Sequence, residues 1–314
     1  MKSGVPQGSI LGPLLFILYI NDIATSCDTI NIDLYADDST LFESGYITSE
    51  IQSSLQNKLN AVEKWCSHNN MSIHPNKTKC MLIGTRSKIK SAGKLTLNIN
   101  GITLDNVIVQ KLLGVFIDNT LNWQAQIDYV CKKINAKISL LKHIIFYIDN
   151  DMKNLFYNSY ILPVFDYCCT IWGKDNKRYI NKIYKLQKRV AKIILNKPLR
   201  SPTIGLLKEL NWLSFSDRCK YHAGVLVFKA LNNMAPNYLS ELLTLSNNDN
   251  YSLRSMNNCD LVVKRKYRTN LYQDSFTSFS MKIWNDIPTS IRKSYSLHTF
   301  KNNFKLYLHG QSNR

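Results

Sequence analysis

Two adjacent carboxylates, Asp37 and Asp38, follow the apolar segment that ends in Leu34-Tyr35-Ala36 and precede Ser39-Thr40-Leu41-Phe42. Neighbouring acids in a tight connection repel each other, and a bound cation relieves that repulsion. Hard oxygen ligands suit Mg²⁺, which keeps much of its water and takes one or two protein carboxylates beside substrate phosphates. The same dipeptide also occurs as an ordinary solvated turn.

The elements around this pair follow from its flanks. Residues 30–35 alternate apolar and polar as a half-buried strand does, and 39–42 resume an extended pattern, so the acids are expected in a hairpin connection. Before them, Gly4-Val5-Pro6-Gln7-Gly8-Ser9 reads as a turn. Leu14, Leu15, Phe16, Leu18, Tyr19 and Ile20 then give a helix apolar nearly all round, expected to be buried against the sheet that carries Asp37. A glycine-lined turn feeding a helix lets backbone N–H groups approach a nucleotide, and Gln7 adds an amide for a base edge or phosphate.

Ile51, Leu55, Leu59, Val62 and Trp65 fall at helical spacing, predicting a helix over 48–68 with Thr48 or Ser49 as its cap. Strands are expected at 78–83, 94–98 and 112–117, with Asn100-Gly101 as a hairpin turn. Helix, hairpin, helix and strands in that order define an α+β layer.

The chain has 314 residues, a formal charge of +18 and 45% hydrophobic residues, enough for a core and for two or three domains. That charge, with 17 Tyr, favours nucleic acid as the anionic partner. The eight cysteines form no C-x-x-C pair, so neither a zinc knuckle nor a disulfide framework is supported, and reduced intracellular thiols are expected. Lys2 and the apolar run 10–20 have the outline of a signal peptide, but Pro6, Gly8, Gly12 and Pro13 interrupt it and Asn21-Asp22 closes it too early to span a bilayer. No membrane partner is expected.

Past Trp123 the periodicity becomes helical. Ile127, Val130, Ile134, Ile138 and Leu141 mark one stripe, with Lys132, Lys133 and Lys137 outside it. Between 176 and 196, Arg178, Lys182, Lys185, Arg189 and Lys192 recur on one helix face, opposite Ile180, Ile183, Gln187, Val190 and Ile194. A line of like charges without counterions is mildly destabilising, so a phosphate backbone is a fitting partner; a solvated face is the alternative. Helix starts are expected at Ser201-Pro202 and Ala235-Pro236. An exposed loop is expected over 246–258, and a basic cluster with an aromatic stands at Lys264-Arg265-Lys266-Tyr267-Arg268. Trp284, Phe300, Phe304 and Leu308 read as core.

Four stretches agree with one another: residues 4–16, Tyr35-Ala36-Asp37-Asp38, Asn76-Lys77-Thr78-Lys79-Cys80-Met81 and Leu112-Leu113-Gly114-Val115. In wording, order and spacing they closely resemble the later palm motifs of reverse transcriptases of non-LTR, LINE-like retrotransposons. Trp172, Gln187-Lys188-Arg189, residues 235–239, Trp284-Asn285-Asp286-Ile287-Pro288 and Phe300-Lys301 resemble the tail of Jockey-type elements. The resemblance implies an RNA-directed DNA polymerase with a partial palm over 1–120, a thumb-like helical region over 121–200 and a C-terminal helical region over 201–314.

It also implies roles. Asp37 and Asp38 are catalytic and metal-binding, for two Mg²⁺ ions with Mn²⁺ as the alternative. Gly4, Pro6, Gln7, Gly8, Tyr35 and Ala36 contact nucleotide or template. Lys77, with Lys79 as second choice, stands near the departing pyrophosphate, and Leu113 and Gly114 support the primer. Template RNA, primer DNA and deoxynucleoside triphosphates are the implied partners, with a nuclear or cytoplasmic location. The family's site has a third carboxylate from an earlier strand, a motif in which neither Asp22 nor Asp33 stands. A chain starting at Met1 is therefore expected not to polymerise alone; a non-catalytic RNA- or DNA-binding remnant is the alternative.

Overall fold

The computed structural model describes residues 8–26, 31–173, 177–198, 200–203, 205–243, 261, 270–273 and 275–311. Gly4, Pro6, Gln7, the expected loop at 246–258 and the basic cluster at 264–268 lie outside the described residues. The chain forms two compact units. One comprises Met1–Leu112 and Ile117–Leu121, the other Leu113–Phe116 and Asn122–Arg314.

In the first unit, helix α1 (Gly12–Ile20) begins with Pro13 in its first turn, where a missing N–H removes no helical bond. The expectation that this helix is buried is corrected: only Gly12 and Ile20 are buried, while Leu14, Leu15, Ile17 and Leu18 are 47–66% exposed. Strands β1 (Ile32–Tyr35) and β2 (Asp38–Leu41) pair antiparallel. Ile32, Leu34 and Leu41 pack on Phe16, Ile20 and Ile23 from the α1 side and on Val62, Trp65 and Cys66 of helix α2 (Thr48–His68). That inner layer fixes which hairpin face turns outward.

Helix α2 spans the expected residues, but its N-cap is Ile47, with no side-chain cap bond, rather than Thr48 or Ser49. Lys58 is buried on it and bonds Glu43 at 2.5 Å; Glu43 also accepts from Ser54 Oγ and Ser44 N. These bonds, the Lys58 bond foremost, hold the Glu43 carboxyl down at about 2. Because the folded value lies below the unfolded one near 4.5, the stability Glu43 provides is present above that pH and lost as pH falls towards 2. Glu43→Gln is expected to flatten the acid limb of the unfolding midpoint against pH, measured in urea.

The remaining strands are shorter than expected. They are β3 (Lys79–Cys80), β4 (Asn98–Ile99), β5 (Ile102–Thr103) and β6 (Asp105–Asn106), with helix α3 (Arg86–Ala92) after β3. β3 pairs parallel to β6, and β4 turns into β5 through Asn100-Gly101, both at positive φ, as a two-residue hairpin loop requires. Leu95 and Leu97 are buried with Leu59, Cys80, Ile99 and Leu104 without joining a ladder there. The expected strand at 112–117 is two strands, β7 (Val109–Leu112) and β8 (Val115–Asp118), separated by a turn at Leu113-Gly114.

The second unit is helical. α4 (Gln124–Ile144) buries the whole predicted stripe, Ile127, Val130, Ile134, Ile138 and Leu141. There follow α5 (Asn150–Phe156), a π turn at Tyr157–Ile161, α6 (Leu162–Asp166), α7 (Cys169–Trp172) and α8 (Lys177–Ile194). The π turn lies just ahead of Pro163, which has no N–H to donate back along the helix. Next come α9 (Leu206–Glu209), α10 (Phe215–Leu231), α11 (Asn237–Glu241), α12 (Asn270–Gln273), α13 (Phe276–Asp286), α14 (Thr289–Arg292) and α15 (Leu297–Gln311).

No helix starts at Ser201-Pro202; α9 begins only after Gly205, in the left-handed region. α11 does follow Ala235-Pro236. The last core gathers Val227 and Phe228 with Trp284, Phe300, Phe304 and Leu308, as the spacing predicted. Among the described residues no helix is long and apolar enough to cross a membrane.

Candidate active site

The register pairs Tyr35 with Asp38, Leu34 with Ser39, Asp33 with Thr40 and Ile32 with Leu41. Alternation therefore sends Ile32, Leu34 and Leu41 inward and puts Asp33, Tyr35 and Asp38 on the outer face. The two carboxylates are not both in the connection: Asp37 occupies the two-residue turn with Ala36, and Asp38 opens β2. Ala36 sits at φ 51°. Asp37, Asp38 and Tyr35 are exposed, and neither acid has a hydrogen-bond or ion-pair partner among the described residues.

Oxygen donors left open to water on adjacent residues match what Mg²⁺ requires, since the ion retains several waters and needs few protein ligands. The donor set fits the ion. Asp33, the nearby acid that stands outside the missing motif, lies by strand register on the same outer face as Asp38.

Of the expected glycine turn, Gly8 is described: it is exposed at φ 85°, and the next residue, Ser9, accepts the Gly12 N–H at 3.0 Å. The two lysine candidates differ. Lys79 Nζ bonds Asp105 at 2.6 Å, and this bond lowers the Asp105 carboxyl below its ordinary value. Lys77 lies in an exposed turn, and its side chain has no partner among the described residues.

In the second unit, Leu113 and Gly114 take φ 45° and 85°. Tyr167 Oη donates to the Leu113 carbonyl at 2.5 Å, and its ring lies 3.4 Å from where a Gly114 Cβ would stand. A side chain at Gly114 would meet both a strained backbone and the ring. The turn is thus braced by one tyrosine.

Of the cation row on α8, the Arg178 side chain lies outside the described residues and the other members differ in their surroundings. α8 packs on α4, and Tyr179, Lys182 and Arg189 meet Gln124, Asp128 and Asn135 respectively, so the helices run parallel along a polar seam. Lys182 is neutralised by Asp128 at 2.7 Å. Lys192 is buried, its ammonium donating to the Ser201 carbonyl at 2.6 Å, and is no free cation. Lys185 remains exposed. On the opposite face Ile183, Val190 and Ile194 are buried as expected.

Gln187, fully buried, is satisfied by Tyr157 Oη, the Leu213 carbonyl and the Phe215 N–H at 3.1, 2.9 and 2.9 Å. Burial raises the Tyr157 hydroxyl, and Trp212 stacks on its ring with centroids 3.4 Å apart. An apolar helix stripe interrupted by one amide was the only sequence signal for this junction.

An α+β unit whose hairpin ends in adjacent acids, followed by a helical unit, sets the class. Residues 1–131 match the family described as reverse transcriptase (RNA-dependent DNA polymerase). That segment is thus similar to reverse transcriptases, and the likeness to polymerases of mobile elements extends over about three quarters of the chain. The chain is 26% identical over 254 residues to the probable RNA-directed DNA polymerase from transposon BS of Drosophila melanogaster, covering 74% of this chain and 28% of that protein. It is 26% identical over 239 residues to the RNA-directed DNA polymerase from mobile element jockey of Drosophila funebris, 71% and 25% covered. To the probable polymerase from transposon X-element of Drosophila melanogaster it is 24% identical over 262 residues, 75% and 27% covered. The chain thus spans about a quarter of the length of these relatives. No solved structure matches it significantly.

Proposed function

We propose that this chain is a polymerase module of a retrotransposon reverse transcriptase, serving RNA-templated transfer of a nucleotide onto a primer 3′-hydroxyl. The observation that carries the proposal is the pair Asp37-Asp38, exposed and without a partner among the described residues, at a hairpin tip inside the segment matched to that family. In this reading the first unit serves as part of the palm and the helices over 121–200 as the thumb.

Divalent ions, when bound, supply activation of the hydroxyl and neutralisation of the triphosphate. Asp37 and Asp38 hold them through carboxylate oxygens. Tyr35 and Ala36 floor the primer end, and Gly4, Pro6, Gln7 and Gly8 face nucleotide and template. Lys77, whose ammonium meets no carboxylate among the described residues, balances the departing pyrophosphate. The braced Leu113-Gly114 turn supports the primer strand, and Lys185 leads the phosphate contacts of α8.

The test is a titration with Mn²⁺ followed by electron paramagnetic resonance. Replacing both acids, Asp37→Ala with Asp38→Ala, is expected to weaken ion binding at the hairpin by roughly tenfold or more, since a largely hydrated ion has few protein donors and loses both carboxylates here. Equal affinity in the two proteins would falsify the metal role and with it the polymerase reading of this hairpin.

A further inference from the structure

Far along the sequence from the paired acids, three donors of different kinds converge in the second unit. Asp166 ends α6, Cys169 opens α7 and His222 stands on α10, and their ligand atoms lie within 4.8 Å of one another. We propose that Asp166 Oδ1, Cys169 Sγ and His222 Nε2 form a transition-metal site of the zinc type, with water in the fourth position.

The local backbone brings the first two together. Cys168 adopts φ 52°, a left-handed kink between α6 and α7, and Cys169 after it is 1% exposed. His222 stands one helical turn beyond Arg218. Tyr221 packs edge-on against the imidazole, with centroids 5.5 Å apart.

The separation of the carboxylate oxygen from the imidazole nitrogen suits ligation better than hydrogen bonding. Asp166 Oδ1 and His222 Nε2 are 3.4 Å apart, longer than a good N–H···O bond. Two ligands each about 2.0–2.1 Å from a tetrahedral zinc stand about 3.3 Å apart along the edge of that tetrahedron. His222 Nε2 also faces Arg218 Nη2 at 3.5 Å, so this nitrogen stands between an acceptor and a donor and satisfies neither well.

Arg218 supplies the outer brace that ligating carboxylates usually have. Its Nε donates to Asp166 Oδ1 at 2.5 Å and its Nη2 to Oδ2. Each carboxylate oxygen keeps a second lone pair, so the guanidinium leaves Oδ1 a position for the ion. Charge also balances: the thiol loses its proton to solvent as the metal–sulfur bond forms, and thiolate plus carboxylate cancel the dication. Only the Arg218 charge is left over. A mixed sulfur, nitrogen and oxygen set favours zinc or cobalt over magnesium or calcium, so this site and the acidic hairpin select different ions. His222 and Asp166 are only partly buried, which leaves an approach for the water.

The test is cobalt(II) titration of the full chain, reduced and metal-stripped, followed by absorbance. One equivalent is expected to give a thiolate-to-cobalt charge-transfer band with tetrahedral ligand-field bands, and one equivalent of zinc should remove them. Cys169→Ser should abolish the charge-transfer band, and His222→Ala should weaken binding at least tenfold. Cys168→Ser, at the neighbouring residue, should leave the spectrum unchanged. No charge-transfer band in the unaltered chain overturns the site, as does a band that survives Cys169→Ser. Neither result bears on the Mn²⁺ titration of the hairpin.

Discussion

Arg218→Met is expected to destabilise the helical unit by about 3–5 kcal/mol, because it leaves a partly buried carboxylate without its cation. Burial pushes the Asp166 carboxyl up, but the Arg218 guanidinium bonded to it and the nearby His222 imidazole outweigh burial, and the carboxyl sits below its ordinary value. In the unaltered chain, then, the stability contributed by Asp166 is present above pH 3.8, the ordinary value, and lost as pH falls below it. In the variant burial dominates and the sign reverses: the deficit should be largest at neutral pH and shrink in acid, where Asp166 takes up a proton. Urea unfolding across pH, with a chelator present throughout, reads both the loss and its reversal. A deficit constant with pH would show that Arg218 stabilises by packing of its stem rather than by charge.

Phe300→Ala should be of the same order, about 3–5 kcal/mol for an aromatic removed from a closed core. Phe300 is fully buried and stacks on Phe228 with centroids 4.4 Å apart, while Trp284 and Phe304 lie at 5.9 and 5.5 Å. Those rings come from α10, α13 and α15, so the cavity opens where three helices meet and none can close it alone. Phe300→Leu should lose much less, because it refills most of the volume. Similar unfolding midpoints for the alanine and leucine variants would contradict a rigid core at this position.

Sequence periodicity revealed most about elements whose one apolar side meets one partner. The α4 stripe, the length of α2 and the C-terminal aromatic core were all legible in this way, because burial and spacing carry the same information there. α1 misled because a helix apolar on every side says nothing of which neighbour covers it. The stretch at 112–117 looked continuous because Leu113 is an ordinary strand residue; its positive φ is imposed by the turn it forms with Gly114. The charge row on α8 was visible, but the carbonyl that takes Lys192 and the Asp128 that takes Lys182 come from other segments. Sequence spacing likewise could not join Asp166 and Cys169 to a histidine more than fifty residues on, since no short metal-binding signature links them. The hairpin itself was legible, except that register decides which acid belongs to the turn and which to the strand.

Ala36 holds a methyl group at φ 51°, a left-handed position where hairpin turns usually use glycine. Holding it there costs of order 1 kcal/mol, so Ala36→Gly should relax the hairpin. The freed backbone would also let the neighbouring acids swing through a wider range of directions. Firmness of aim at this tip is therefore kept at the expense of local comfort, and a sturdier hairpin would be a less accurate one.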